Sequence, residues 1–377
     1  LDPVRAQPRP APSTRQAVIR TAIVHDHLVQ TGGAERVLLA MARALPGSPV
    51  HTSFYEPGHT YPELAGIDVR PMPINRIGPL RDHHRLAFPL LAPAFSATRI
   101  DADVTLCSTA GWSHGVHTSG TKVAYWYAPA RWLYQIDQYA GHRRAVRFGA
   151  RVMAPALGPW DRRAVAGVAR HLALSSVIRT RLQDIYRIDV ELLPPPSTFG
   201  ATGEIAEHGI EPGYLLCVAR LLPYKNVDVV IEAARRVGTR LVVVGRGPEA
   251  ERLRAAAPPS TIFLEGVPDA RLRALYRDCH AVVAAAYEDF GLTPLEAASF
   301  GRPSAALAGG GFLDTVIDGE TGVLFERPDP TTVAAALRRV LDETWDPAVL
   351  RARAAAFSEP AFAERLRAVV SEAGASR

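Results

Sequence analysis

Apolar residues along this chain come in short β-branched runs separated by segments with helical spacing. Ile19–Val24 is such a run, followed by Gly32–Gly33 and a helical pattern from Ala34 to Leu45. Val104–Cys107, Lys122–Trp126 and His171–Ser175 read as further strands of the first half. In the second half the alternation is cleaner, with Tyr214–Val218, Leu241–Val244, Ile262–Leu264, Ala281–Ala285 and Pro303–Leu307 as buried strands. Between them lie helices such as Val227–Val237, which puts Val227, Val230, Ile231 and Ala234 on one face. Near-continuous apolar strands alternating with amphipathic helices predict parallel sheets covered by helices on both sides, an α/β architecture.

The 377 residues exceed one ordinary core and suit two domains of ~150–200 residues. Leu192-Leu193-Pro194-Pro195-Pro196 sits near the middle, and three prolines cannot continue a strand or a helix. A stiff connector there predicts a first doubly wound, Rossmann-like domain over 17–193 and a second over 197–355. Residues 1–16, rich in Pro, Arg and Ala, read as a disordered leader. Residues 356–377 read as a helix packing back on the first domain. Doubly wound sheets bind ligands at the carboxyl ends of their strands, so two such domains would place a site in the cleft between them.

Composition narrows the class. Hydrophobic residues at 47% and charged residues at 21% fit a globular protein, and no apolar run approaches the ~18–20 residues of a membrane span. The three cysteines, Cys107, Cys217 and Cys279, lie far apart and fit a reducing cytoplasm better than a disulfide or zinc scaffold. The net charge of +5 points to anionic partners, but the arginines are scattered and no nucleic-acid-binding block is present. Only two of the 43 basic residues are lysines, Lys122 and Lys225, which marks those positions as ones where arginine does not serve. The segment Ile74–Phe95 mixes Arg76, Arg81, His83, His84 and Arg85 with Leu86, Phe88, Leu90, Leu91 and Phe95. Its plainer reading is a helix packed on its own domain; the sharper one is an acceptor-side or membrane-facing surface at the inner face of the membrane.

Three constellations carry candidate chemistry. Glu288-Asp289-Phe290-Gly291-Leu292-Thr293-Pro294-Leu295-Glu296 runs from a strand through a glycine into a helix. Gly291 permits close backbone approach, and amides at the helix start would favour an anion. Glu288 and Glu296 would face one polyhydroxylated ligand from two heights, since each sugar hydroxyl offers a donor proton. Arg220 and Lys225 share a strand-to-helix loop and suit a diphosphate, one as a fork and the other as a point charge. Thr31-Gly32-Gly33-Ala34-Glu35 opens a helix with two glycines, which fits an anion-binding turn or a plain tight turn equally.

Taken together, these residues resemble family 4 retaining glycosyltransferases, of GT-B fold. The late Gly309-Gly310-Gly311 and Asp318-Gly319-Glu320-Thr321-Gly322 belong to the same likeness, which is strongest over 214–326. The phrase Pro129-Ala130-Arg131-Trp132-Leu133-Tyr134 is similar to the bacterial mannosyltransferase-like members. The resemblance implies two Rossmann-like domains facing each other across a cleft, with a nucleotide-diphosphate sugar as co-substrate and no metal or other cofactor. Arg220 and Lys225 would hold the diphosphate, and Gly33 would offer its amide to it from the first domain. Glu296 would bind the ribose, while Glu288 with the amides of Phe290, Gly291 and Leu292 would hold the transferred sugar. It also implies front-face transfer of a hexose to a hydroxyl acceptor (a glycan, a glycolipid or a small natural product), with GDP-mannose the first choice of donor and UDP-hexoses next.

One departure stands out. Relatives often carry a histidine where this chain has Tyr127, in Tyr125-Trp126-Tyr127-Ala128-Pro129. His114, in a nearby loop, is the alternative polar candidate; its plainer reading is structural. Two rival functions follow from other features. Gly245-Arg246-Gly247-Pro248-Glu249-Ala250 fits a dinucleotide fingerprint, with Glu265 20 residues beyond Gly245, and would make an NAD-dependent oxidoreductase. A non-catalytic nucleotide-sugar-binding protein of the same fold is the other. His25 and His27 alternate at a strand end without a carboxylate or cysteine cluster, so a metal site is not expected there.

Overall fold

The computed structural model describes residues 19–82, 87–136 and 144–375. The leader over 1–16 lies outside the described residues, as do His83, His84, Arg85 and Leu86 of the basic–apolar segment. Among the described residues, fifteen strands form two large parallel sheets and one short ribbon. In chain order they are β1 (Thr21–His25), β2 (Val50–Thr52), β3 (Val69–Pro71), β4 (Arg99–Ile100), β5 (Val104–Thr109), β6 (His117–Thr118), β7 (Thr121–Trp126), β8 (Arg170–Ala173) and β9 (Glu191–Leu192). The second half contributes β10 (Leu215–Val218), β11 (Leu241–Val244), β12 (Thr261–Leu264), β13 (Ala281–Ala284), β14 (Ser304–Leu307) and β15 (Gly322–Phe325). The first sheet runs β3-β2-β1-β5-β7-β8-β9 and the second β12-β11-β10-β13-β14-β15, while β4 and β6 pair apart.

Both orders are doubly wound. The strand order reverses between β1 and β5 in the first sheet and between β10 and β13 in the second, so the loops leaving those pairs diverge and open a crevice at the carboxyl ends. The central strands are buried on both faces, as their sequences require: β5 and β11 expose nothing. The triproline run Pro194–Pro196 lies between β9 and β10 without regular structure.

The chain's last helix, Glu359–Ala375, returns to the first sheet. Its Phe362, Ala363, Leu366, Val370 and Ala373 join that sheet's core, and Phe362 meets the Tyr125 ring edge-on at 6.1 Å. At its start Glu359 pairs with Arg43, in the last turn of the helix Gly33–Ala44. The basic–apolar segment also packs inward. Its helix Phe88–Ala97 buries Leu91, Ala92 and Phe95, while Ile77 and Leu90 are about half exposed.

Two predictions follow from this packing. Leu366→Ala removes a fully buried side chain and is expected to lower unfolding free energy by about 2–5 kcal/mol in urea titration. Burial, assisted by the neighbouring His27, lowers the pKa of His25 to about 3. The folded ring is therefore neutral where the unfolded one, at its ordinary 6.5, takes a proton. This contribution is complete above pH 6.5 and is lost progressively as pH falls toward 3, at up to about 1.4 kcal/mol per pH unit. His25→Asn is expected to flatten the acid limb of a stability–pH curve; an unchanged slope would mean that the ring is not buried neutral.

Candidate functional site

The second sheet's switch point brings two loops together. After β10 the chain turns through Arg220 and the short turn Pro223–Lys225, then enters the helix Val227–Val237 through Asn226 in a left-handed conformation (φ 52°). The Asn226 amide donates to the carbonyl of Ala285 at 2.8 Å, which ties this loop to the one leaving β13. Lys225 Nζ pairs with Glu288 Oε1, and the side chains are 12% and 28% exposed. The ammonium also lies 5.1 Å from the centre of the Tyr224 ring, and Arg220 reaches the Tyr224 hydroxyl at 3.4 Å. An anion entering here would meet two cations and would compete with Glu288 for one of them.

The glycines of the second half serve this loop by leaving room. Gly310, at φ 64°, and Gly311 lie so close to Glu288 and Phe290 that a Cβ on either would collide with backbone, and the Gly311 amide donates to the Glu288 carbonyl at 2.8 Å. Gly291, at φ 84°, makes room for the Phe312 ring. Glu296 follows in the helix Thr293–Ser299 and accepts from the Tyr276 hydroxyl at 2.5 Å. Burial raises its pKa, with the Tyr276 hydrogen bond and the positive Arg36 of the first half opposing that shift. Lys225 and Glu288 are thus joined directly, and Glu296 stands one helical turn beyond the same loop.

At the first sheet's switch point Asp26, just after β1, is the hub. Its buried carboxylate accepts from the amides of Ala110 at 2.8 Å and Ser113 at 2.7 Å, locking the loop after β5 onto that after β1, and burial raises its pKa. Tyr127 donates its hydroxyl to the Ala34 carbonyl at 3.0 Å. Ser108 must then donate to Tyr127, at 2.8 Å, and accept from His25 Nδ1 at 2.9 Å, which fixes the neutral tautomer of His25. The Tyr127 ring lines a cavity, but its hydroxyl is spent inside the fold and burial drives its pKa well up. Gly33, the first residue of its helix, has open space where a side chain would be, whereas a side chain at Gly32 would strike the Glu35 carboxylate.

His114 does not open onto either loop cluster. It is fully buried, with Nδ1 on Thr109 at 3.1 Å and Nε2 on Asp161 at 3.1 Å, and its carbonyl accepts from Lys122 Nζ at 3.0 Å. In this structure its side chain and carbonyl are engaged in bracing the fold. The dinucleotide fingerprint is likewise absorbed by packing. Gly245 and Gly247 allow the loop after β10 to lie against them, with Leu221 donating to the Arg246 carbonyl at 2.9 Å, and a Cβ at either would collide with the carbonyls of Ala219 and Leu221. Glu265, the would-be ribose carboxylate, pairs with Arg254 at 3.5 Å.

The two loop clusters meet. Asp289, next to Glu288, takes Arg181 at 2.9 Å and also Arg131, both from the first half. Sequence reasoning singled out neither Asp26, Asp289 nor Arg181, because their importance lies in partners ~84–158 residues away along the chain. Among the described residues no cluster of three metal-ligating side chains occurs, and no helix is long and apolar enough to cross a membrane.

Residues 204–357 match the family model described as glycosyl transferases group 1. A D-inositol 3-phosphate glycosyltransferase of Acidothermus cellulolyticus is 36% identical over 148 residues, 34% of this chain and 33% of that protein. A glycogen synthase of Mycobacterium tuberculosis is 38% identical over 156 residues, 38% of this chain and 37% of that protein. The matches thus span about a third of the length of these curated relatives. Among solved structures, a sucrose-phosphate synthase of Thermosynechococcus elongatus superposes with a TM-score of 0.67 at 18% identity, covering 95% of this chain and all of that one. An Anabaena protein in complex with UDP gives 0.66 at 16% identity, over 94% of this chain and all of that one. The chain has the GT-B fold of the glycosyltransferases, and its second half carries their group 1 sequence pattern.

Proposed function

We propose that this protein is a retaining glycosyltransferase that moves a hexose from a nucleotide-diphosphate sugar to a hydroxyl acceptor. The observation that carries the reading is the meeting of Lys225 and Glu288, from the two sides of the switch point, with Arg220 beside them, inside the stretch that matches the group 1 model. A donor diphosphate would take the Lys225 ammonium and the Arg220 guanidinium. Glu288, released from Lys225, would turn to the hydroxyls of the transferred sugar. Glu296, held by Tyr276, would accept from the ribose hydroxyls, and the amide of Gly33, which carries no side chain to obstruct an approaching ligand, would reach the phosphates from the other side.

The chemistry then follows from charge. Breaking the anomeric C–O bond leaves the electron pair on the departing phosphate, where two fixed cations stabilise it more than they stabilise the bound donor. The acceptor oxygen forms its bond to the anomeric carbon on the same face, and its proton passes to the leaving phosphate oxygen. No side chain need act as nucleophile, which fits a loop whose carboxylates are engaged in binding. GDP-mannose rests on the sequence resemblance, whereas the UDP bound by the Anabaena neighbour favours a uridine donor.

Thermal-shift titration with GDP, UDP, ADP, dTDP and NAD tests this directly. One nucleoside diphosphate is expected to stabilise the protein selectively; stabilisation by NAD alone would contradict the reading. Lys225→Ala and Glu296→Ala are each expected to weaken that nucleotide about 10- to 100-fold, the loss of one charge-assisted contact. For Lys225→Ala the unliganded melting point should barely move, since a partly exposed ion pair contributes ~1 kcal/mol or less. Turnover of the matching nucleotide sugar separates an enzyme from a protein that only binds it.

A further inference from the structure

A cavity of about 330 Å³ sits at the carboxyl end of the first sheet, directly at its switch point. Its walls are more apolar than polar: Phe54, Phe88, Leu91 and Trp132 line it together with Asp26, His27, Tyr127 and Arg131. Trp112 and Trp132 stack at 4.2 Å between ring centres and 10° between planes, with Phe88 edge-on to both, so the apolar end is a rigid aromatic block. The Trp132 indole N–H is buried without a hydrogen-bond partner, facing the space that a side chain at residue 111 would fill. This volume is at the lower end of the roughly 300–1,000 Å³ typical of ligand pockets, which suits a ring or two and not a long alkyl chain.

The charge around the cavity limits what that ring can carry. Arg131 is the lining cation among the described residues, apart from His27, and its guanidinium is committed to Asp289 across the cleft. Asp26 lines the same cavity, and the buried Glu35 carboxylate acts electrostatically on Tyr127. Asp26 in the lining, and Asp289 beside it, offset Arg131 and Arg181, so the described residues of the cavity present no surplus positive charge. A phosphorylated ring would bring its anion toward Asp26, with no uncommitted arginine or lysine among the described lining residues to receive it.

Resting on the glycosyl-transfer reading, we propose that this cavity binds an uncharged, hydroxyl-bearing ring of the acceptor. Asp289, by holding Arg131, keeps phosphorylated acceptors out. The aromatic block takes the ring's C–H face, and Asp26, His27 and the backbone around them meet its hydroxyls. Asp289 is a positioning residue in this scheme: it touches no substrate and acts through Arg131. The assignment separates this chain from a relative named for a phosphorylated inositol, although the two are 36% identical over 148 residues.

The test uses the full chain saturated with whichever nucleoside diphosphate binds, so that the donor phosphate site is blocked. Saturation-transfer NMR then compares matched rings: methyl α-glucoside with glucose 6-phosphate, and myo-inositol with an inositol monophosphate. The neutral member of each pair is expected to bind more tightly, by roughly tenfold or more. In Asp289→Asn, which frees Arg131, that ratio should shift toward the phosphorylated member; a ratio is insensitive to any general loosening of the cleft. Phosphorylated rings binding as well as neutral ones in the wild type, an unchanged ratio in the variant, or octanol competing as well as the rings would each overturn the proposal. Nucleotide binding with no ring binding would also overturn it while leaving glycosyl transfer intact. Absence of any nucleotide binding would remove the functional reading itself, and this inference with it.

Discussion

Lys225 and Glu288 meet because β10 and β13 are neighbours, and that adjacency is the constraint on which the rest of the site depends. The two residues are separated by 63 positions and by two further βα units. Only a strand order that starts in the middle of the sheet and reverses there can set their loops side by side. The opposite charges then hold one another at the partly exposed mouth of the crevice, and the ammonium is kept there in a pairing that a ligand can replace. A polyanion carrying several oxygens can offer Lys225 a better partner than one carboxylate does.

The same geometry explains why the glycines cluster where they do. Gly310 and Gly311, and the pair Gly245 and Gly247, lie against these two loops, and each is glycine because backbone comes too close for a side chain. Their service is to hold the loops in register, not to contact a ligand. On the other side of the cleft Asp26 performs the equivalent task with hydrogen bonds, tying two loops through two backbone amides. Asp289 joins the halves, and Asp314 adds a second link by accepting from the Ser176 amide at 2.7 Å. Arg131 lines the aromatic cavity and pairs with Asp289, so the cavity is linked to the loop that carries Glu288.

Much of this was legible in the sequence, and the exceptions have physical reasons. Continuous apolar runs such as Leu241–Val244 announce central strands because both faces are buried. The edge strand β3 and its neighbour β2 did not show, since three-residue runs containing His51, Arg70 and Pro71 carry no periodic signal. The helix Arg144–Ala166 holds Pro155 and Pro159, which locally argue against a helix and are overridden by packing. Motif residues such as Lys225 and Glu288 were visible by type and spacing. His114 was not readable, because burial against Trp126 and Asp161 is a property of the assembled core. Lys122, the other lysine, is likewise a buried donor to a carbonyl, so lysine scarcity marked buried cations and not function alone.

The central claim is that the nucleotide lies between the loops leaving β10 and β13. Hydrogen–deuterium exchange with and without the stabilising nucleoside diphosphate tests it most directly. The account predicts slowed exchange in residues 219–226 and 287–296 together, with residues 250–257 unaffected. Protection centred on 245–250, with the Lys225 and Glu288 loops unchanged, would contradict it.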